Sequence, residues 1–291
     1  MTANWGEPTL GVVLTDAEKT LTEAGAWQPR GDAEKLAAHV LGCTVEQLSP
    51  DATLGLEDLA RLRELVARRA DRTPVEYLTG SAVLGGVEVA VGPGVFVPRK
   101  HTEPLLAWGL DVVREVSDPL AVDLCTGSAA IALALVHARP DATVHAIELD
   151  PVALSWARRN VARQAELGDT PIILHAGDVT DPAMFADLDG TVDLLLANPP
   201  FVVDGVVLPP EWQEHQPWPA LFGGQDGLVV IRAVVAAATR LLRAGGGVAI
   251  EHDDEQAEVV MSLLREQDTF TDISYGVDHW GTPRYTTARR K

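Results

Sequence analysis

The stretch LAVDLCTGSAAIALALVHA, residues 120–138, decides the fold. Six residues from Leu120 to Cys125 read as a buried strand, closed near its end by Asp123. Gly127 allows a tight turn, and Ser128 begins an apolar helix. The same alternation continues downstream. TVHAIEL is a strand, PVALSWARRNVARQ a helix, PIILHA a strand and VDLLLA a strand running into Asn198. A glycine-rich loop follows, then the helix GLVVIRAVVAAATRLLRA, the strand GGVAIEH and a further helix. Upstream, TEPLLAWGLDVVREV supplies a helix before the first strand. Continuous apolar strands alternating with helices predict an α/β fold with a parallel sheet covered on both faces. The tail FTDISYGVDHWGTPRYTTARR holds two strand candidates and a turn, an antiparallel finish that makes the sheet mixed.

Before residue 101 the texture differs. Residues 1–80 read as a small helical domain. DAEKTLTEAG and DAEKLAAHVLG each begin with an Asp placed as an N-cap and end at a glycine. LEDLARLRELVARRA sets Leu56, Leu59, Leu62 and Leu65 at helical spacing. Residues 81–100, with the β-branched, glycine-punctuated GVEVAVGPGVFVPR (86–99), read as a β-hairpin linker, and residues 101–291 as the main domain.

The chain of 291 residues is 46% hydrophobic and 22% charged, the balance of a soluble protein with a sizeable core. Its net charge of −19 disfavours DNA as a partner, because a phosphate backbone calls for clustered Lys and Arg. The five arginines of RLRELVARRADR (61–72) read as solvated helix charges. Cys43 and Cys125 form neither a zinc spacing nor a disulfide framework, so no metal is expected. The opening MTANWGEPTL has no basic start and no apolar signal core, and no apolar run reaches the ~20 residues of a membrane span. A cytoplasmic protein is expected.

In an open α/β sheet, ligands bind beyond the carboxyl ends of the strands. The loop Asp123, Cys125, Thr126, Gly127, Ser128, Ala129 resembles the glycine-rich loop of Rossmann-like class I methyltransferases that use S-adenosylmethionine. Glu148 arrives at the end of the next strand, where a carboxylate accepts hydrogen bonds from both ribose hydroxyls. Asp178 and Val179 follow the third strand, where the adenine ring would lie; a plain N-cap is an equal reading of Asp178. A dinucleotide enzyme is the weaker choice, since the second phosphate-approaching glycine is missing. Cys125 reads as a small filler of this loop, not a nucleophile.

The fourth strand ends in LLLANPPFVV (194–203). Asn198-Pro199-Pro200-Phe201 resembles the signature of methyltransferases acting on conjugated nitrogens: adenine N6, cytosine N4 and the glutamine side-chain amide. The Asn198 side-chain oxygen and the Pro199 carbonyl accept the two N–H groups of the acceptor, Pro200 stiffens the array, and Phe201 offers a flat face. Asn198 also borders the cofactor.

From Thr73 onward the chain resembles the bacterial protein-(glutamine-N5) methyltransferases of class I peptide-chain release factors. The matching stretches are RTPVEYLTG, VGPGVFVPRKHTE, VDLCTGSAAIALAL, NPPF, ALFGGQDGL followed by IRAVVAAATRLL, and GTPRYTTARR. The resemblance implies S-adenosylmethionine as methyl donor and the glutamine of a Gly-Gly-Gln loop as acceptor. It also implies a seven-stranded mixed sheet and an N-terminal helical domain that docks the release factor. The chain departs from the family pattern at Phe201, usually tyrosine, at Lys100 and His101, usually Pro and an acidic residue, and at Ala129, usually glycine. Two alternatives stay open: a paralogue methylating a small-molecule amide or amine nitrogen, and a cofactor-binding protein without catalysis. Trp212, His215 and Trp218 lie in a long loop after the fourth strand, read as lid or packing, and EHDDEQAE (251–258) reads as a strand end running into a solvated helix start.

Overall fold

The structure, a computed structural model, describes residues 8–291; the opening MTANWGE, read above for a leader, lies outside the described residues. The chain divides into two compact units. One runs to Ser81 and takes back Leu208–His215; the other comprises Ala82–Val207 and Gln216–Lys291.

The first unit is helical: α1 (Leu10–Glu23), α2 (Pro29–Leu41), α3 (Leu56–Ala70) and α4 (Val75–Thr79) close over a leucine- and alanine-rich core. Both N-cap expectations fail. Asp16 lies inside α1, whose N-cap is Thr9, and Asp32 sits in the first turn of α2 behind Gln28 and Pro29. The proline at the helix start sets the boundary, since it tolerates only the first turn. Gly42 does end α2, in the left-handed conformation. On α3, Leu59, Leu62 and Leu65 are buried, but Leu56 is 74% exposed. Steps of three residues drift around a 3.6-residue helix, so Val66 and Arg69 continue the buried stripe instead. Arg69, expected in solvent, is 5% exposed. Its Nε donates to Asp32 at 2.8 Å and its Nη2 to Glu211 at 3.1 Å, while Arg72 Nη2 reaches the other Glu211 oxygen at 2.5 Å. Glu211 belongs to the short helix of Leu208–His215, so a buried ion network holds that returning segment in the helical unit. Trp212 packs there on Trp27, ring centroids 6.1 Å apart.

The second unit begins with the hairpin β1 (Ser81–Leu84) and β2 (Val87–Ala90), which turns at Gly85-Gly86, both at positive φ. The hairpin therefore sits earlier than GVEVAVGPGVFVPR, of which only VEVA is strand. Then follow α5 (Glu103–Val112), β3 (Leu120–Leu124), α6 (Ala130–Ala138), β4 (Thr143–Glu148), α7 (Pro151–Glu166), β5 (Ile173–Ala176) and β6 (Val192–Ala197). After α8 (Pro210–Gln213), the short helix that carries Glu211, come α9 (Val229–Leu241), β7 (Leu242–Glu251), α10 (Ala257–Glu266), β8 (Phe270–Val277) and β9 (Pro283–Arg290).

The sheet order is β5-β4-β3-β6-β7-β9-β8. Five strands from β5 to β7 run parallel, and β9 is antiparallel to both β7 and β8. This is the seven-stranded mixed sheet of a Rossmann-like class I methyltransferase, with its order reversing between β3 and β6. All six residues of β6 are buried. Leu124, Ile147, Ala197 and Ile250 share one register row and pack with α9 and α10 in one apolar cluster. Gly109 of α5 faces Leu194 and Leu196 on the opposite side of β6. No described helix is long and apolar enough to cross a membrane.

Candidate active site

The parallel registers align the strand ends that hold the candidate site residues. Leu124 pairs with Ile147 and with Ala197, and Ala197 with Ile250. One residue further on, at the carboxyl edge, stand Glu148, Cys125, Asn198 and Glu251. The switch point lies between the second and third of these.

The loop after β3 is pinned at several points. Thr126 N donates to Ile147 O at 3.0 Å, and Glu148 Oε2 accepts from Gly127 N at 2.8 Å. Glu148 Oε1 accepts from Asp150 N at 2.8 Å, so each oxygen holds one backbone N–H and keeps a lone pair for a further donor. Burial raises the Glu148 carboxyl above its ordinary range, with the Asp150 and Gly127 amides working against the rise. Cys125, Gly127 and Ala129 all take positive φ, at 61°, 58° and 67°. Ala129 thus adopts the conformation a glycine usually supplies, at a cost of about 1 kcal/mol. Ala129 N still donates to Thr126 O at 2.9 Å, and the Ala129 carbonyl starts α6 by accepting from Leu133 N.

Sequence reasoning missed one loop support. Asn160, wholly buried on the apolar face of α7, donates from Nδ2 to Ser128 O at 2.9 Å and to Ala90 O at 3.0 Å. Its Oδ1 accepts from Ala90 N at 2.7 Å. The signal was present, because Asn160 falls three residues after Ala157 on that helix's buried stripe.

Asp123 is 1% exposed. Its Oδ2 accepts the Thr126 hydroxyl at 2.5 Å, while Oδ1 has no hydrogen-bond partner. Burial pushes its carboxyl up to about 7, against the lowering effect of the Thr126 hydroxyl. The Cys125 thiol is driven far above its ordinary range by burial first, then by the charges of Glu148, Asp123 and Asp178. That makes it a poor nucleophile and agrees with its reading as filler. Asp178 Oδ1 accepts from Thr180 N at 2.8 Å in a local turn, and Val179 packs against the core.

The Asn198-Pro199-Pro200-Phe201 turn is braced from outside. Val202 N donates to Leu221 O and Gly223 N to Val202 O, each at 2.8 Å, and Asp204 N reaches Gly224 O at 3.0 Å. Gln256 Nε2 donates to Phe201 O at 3.0 Å. The glycines of FGGQDG explain themselves here. A Cβ on Gly223 would stand 2.6 Å from Pro200 O, and one on Gly227 would overlap Phe201 O. Only bare backbone fits against the turn.

Near this turn the reading of EHDDEQAE changes in part: β7 does end at Glu251, but that end is not in solvent. Glu251, read as leading into solvated surface, is 1% exposed, and His252 behind it is fully buried between the Asp253 carbonyl and the Thr286 hydroxyl. A strand paired on both sides encloses its own last residues. Asp254, Glu255 and Glu258 meet the description of a helix start in solvent, and Asp253 forms a capping box with Gln256. His101 Nε2 lies 3.3 Å from Glu251 Oε1. Trp218 stacks on Phe222, centroids 4.9 Å apart, and stays largely exposed.

A family model described as the PrmC N-terminal domain matches residues 13–80, and one described as the methyltransferase small domain matches residues 89–211. The chain is 44% identical over 286 residues to the release factor glutamine methyltransferase of Mycolicibacterium smegmatis, covering 97% of this chain and 98% of that protein. It is 43% identical to the enzyme of that name from Mycobacterium tuberculosis, covering 97% and 92%, and 42% identical to that of Streptomyces coelicolor, covering 95% and 96%. With similarity of this extent over both units, the chain belongs to the release factor glutamine methyltransferase family.

Proposed function

We propose that this enzyme methylates the side-chain amide nitrogen of a protein glutamine, that of the Gly-Gly-Gln loop of class I peptide-chain release factors, with S-adenosylmethionine as donor. The observation that carries the reading is the braced Asn198-Pro199-Pro200-Phe201 turn, standing in register beside the loop that Glu148 pins. No observation favours a small-molecule acceptor.

The donor fits the residues present. Asp123 Oδ1 is buried without a partner, and Glu148 retains acceptor capacity on both oxygens. An acidic rim of Asp123, Glu148 and Asp178 suits a cationic ligand that carries ribose hydroxyls, and Gly127 with Ala129 keeps the loop close-lying. When bound, S-adenosylmethionine supplies an electrophilic methyl on a positive sulfur.

Asn198 and the Pro199 carbonyl orient the acceptor. An amide nitrogen is a weak nucleophile, because its lone pair is shared with the carbonyl. By accepting its two N–H groups, the Asn198 oxygen and the Pro199 carbonyl turn the remaining direction of the nitrogen toward the methyl and favour the positive charge that develops there. The bound donor would supply the methyl and keep the sulfur as a neutral thioether, while the nitrogen held by Asn198 and Pro199 gives up one proton to water. Phe201 flanks the acceptor with its ring face, which also favours a cationic methyl. Gly223, Gly227 and Gln256 pack on the Pro200 and Phe201 carbonyls, the end of the turn that follows these acceptors. The helical unit supplies docking surface for the release factor.

The test is a transfer assay with purified release factor, read by peptide mass spectrometry. One added methyl on the Gly-Gly-Gln glutamine is the expected result. No transfer by a preparation shown to bind the donor contradicts the reading.

A further inference from the structure

Glu251 has a buried carboxylate that the mechanism above does not use. It ends β7, the strand beside that of Asn198, and the registered pair Ala197–Ile250 puts Asn198 and Glu251 next in line on the same face of the sheet. That face is the one α5 covers, since Gly109 meets Leu194 and Leu196 there. His101, in the turn leading into α5, reaches Glu251 Oε1 at 3.3 Å. Glu251 Oε2 is buried and has no hydrogen-bond partner. An unpaired buried carboxylate oxygen is costly, and folding alone gives no reason to keep it.

Two more unpartnered buried polar atoms stand on or against residues 97–102. Thr102 Oγ1, next to His101, has no partner. Gln216 holds Val97 N with Oε1 at 3.2 Å and leaves Nε2 unpartnered. All three side chains are more than nine-tenths buried. Together they offer an acceptor, a hydroxyl and an N–H donor. A polypeptide main chain brings N–H and carbonyl groups at every residue and so matches both kinds of atom.

We propose that Glu251 binds the acceptor polypeptide, its Oε2 accepting a main-chain N–H adjacent to the methylated glutamine, with His101 as a positioning residue that fixes Oε1. Gln216 Nε2 donates to a neighbouring carbonyl of the same strand of substrate. The inference rests on the protein-glutamine reading above and names what else that acceptor touches. In this chain a histidine thus anchors the carboxylate that β7 supplies.

The test is steady-state methylation of purified release factor by the full-length enzyme and its Glu251→Gln variant. Calorimetric donor affinity and thermal melting are measured on the same preparations. Replacing two charged acceptor oxygens by one neutral acceptor and an NH2 donor, which cannot serve both His101 and the substrate N–H, predicts a KM for the release factor raised roughly ten- to a hundredfold. Donor affinity should stay within about twofold, and kcat should change much less than KM. A folded Glu251→Gln enzyme with unchanged KM overturns the inference, as does a loss confined to melting temperature or donor affinity. Should Glu251→Gln fail to fold, His101→Ala decides. A several-fold rise in KM supports the inference, and an unchanged KM overturns it. Wild-type enzyme that binds donor but transfers nothing to the release factor overturns the functional reading itself, a result distinct from any of these.

Discussion

Two turns leave adjacent strands of this sheet, and they are made rigid in opposite ways. The loop after β3 carries its conformational cost internally: Cys125 and Ala129 take positive φ without being glycine, and Glu148 and Asn160 hold the backbone that results. The turn after β6 is stiffened by Pro199 and Pro200, and the glycines that make room for it stand on another segment, at Gly223 and Gly227. A loop that receives a cofactor must offer backbone and carboxylates at close range. A turn that orients an acceptor must keep two carbonyl-type oxygens still. On the reading proposed above, one sheet edge builds a binding loop and an orienting turn from separate sources of order.

The sharpest way to break the comparison is to remove the oxygen proposed to orient the acceptor. Asn198→Ala should reduce turnover roughly a hundred- to a thousandfold, the usual cost of one preorganised electrostatic contact. Initial rates at saturating donor would check it, and a rate near that of the wild type would sink the orienting role. Next, Gly227→Ala places a Cβ on the Phe201 carbonyl at a φ of +72°. We expect a loss of about 3 kcal/mol in stability, with turnover falling as well, measured by denaturant melts alongside kcat. A wild-type melt would mean the turn is not braced from that side.

The binding loop yields a prediction about pH. Because the folded state raises Asp123 to about 7, from its ordinary 3.8, it binds more protons there than the unfolded chain does. Stability from this group is therefore full below about 4 and is lost as pH rises toward 7. Asp123→Asn should remove that slope, leaving the donor-free variant more stable than the wild type at pH 8, with the gap narrowing at pH 5. Equal gaps at both values would show that Asp123 titrates normally. The smallest effect is Ala129→Gly, expected to stabilise by about 1 kcal/mol by relieving the left-handed alanine.

Much of this architecture was legible in the chain. Strands and helices of the sheet unit follow from local apolar runs, and the order Asp123, Glu148, Asn198 follows from strands that end one after another on the same edge. What stayed hidden depends on contacts distant in sequence. Arg69 looks like a solvated helix charge until Asp32 and Glu211 meet it, 37 and 142 residues away. Glu251 looks like the start of an acidic surface until β6 and β9 enclose its strand. The glycines of FGGQDG belong visibly to a loop, yet only the approach of Pro200 and Phe201 explains why they are glycines. Leu208–His215 reads as loop after the reacting turn, and its return to the helical unit rests on one carboxylate shared by Arg69 and Arg72.

The division of labour between the two turns is tested most directly by titrating S-adenosylmethionine calorimetrically into Glu148→Gln and Asn198→Ala in parallel. The account predicts that Glu148→Gln weakens donor binding by roughly tenfold or more, for want of a charged acceptor, while Asn198→Ala binds within about threefold of the wild type. Donor affinity lost in Asn198→Ala and kept in Glu148→Gln would contradict it.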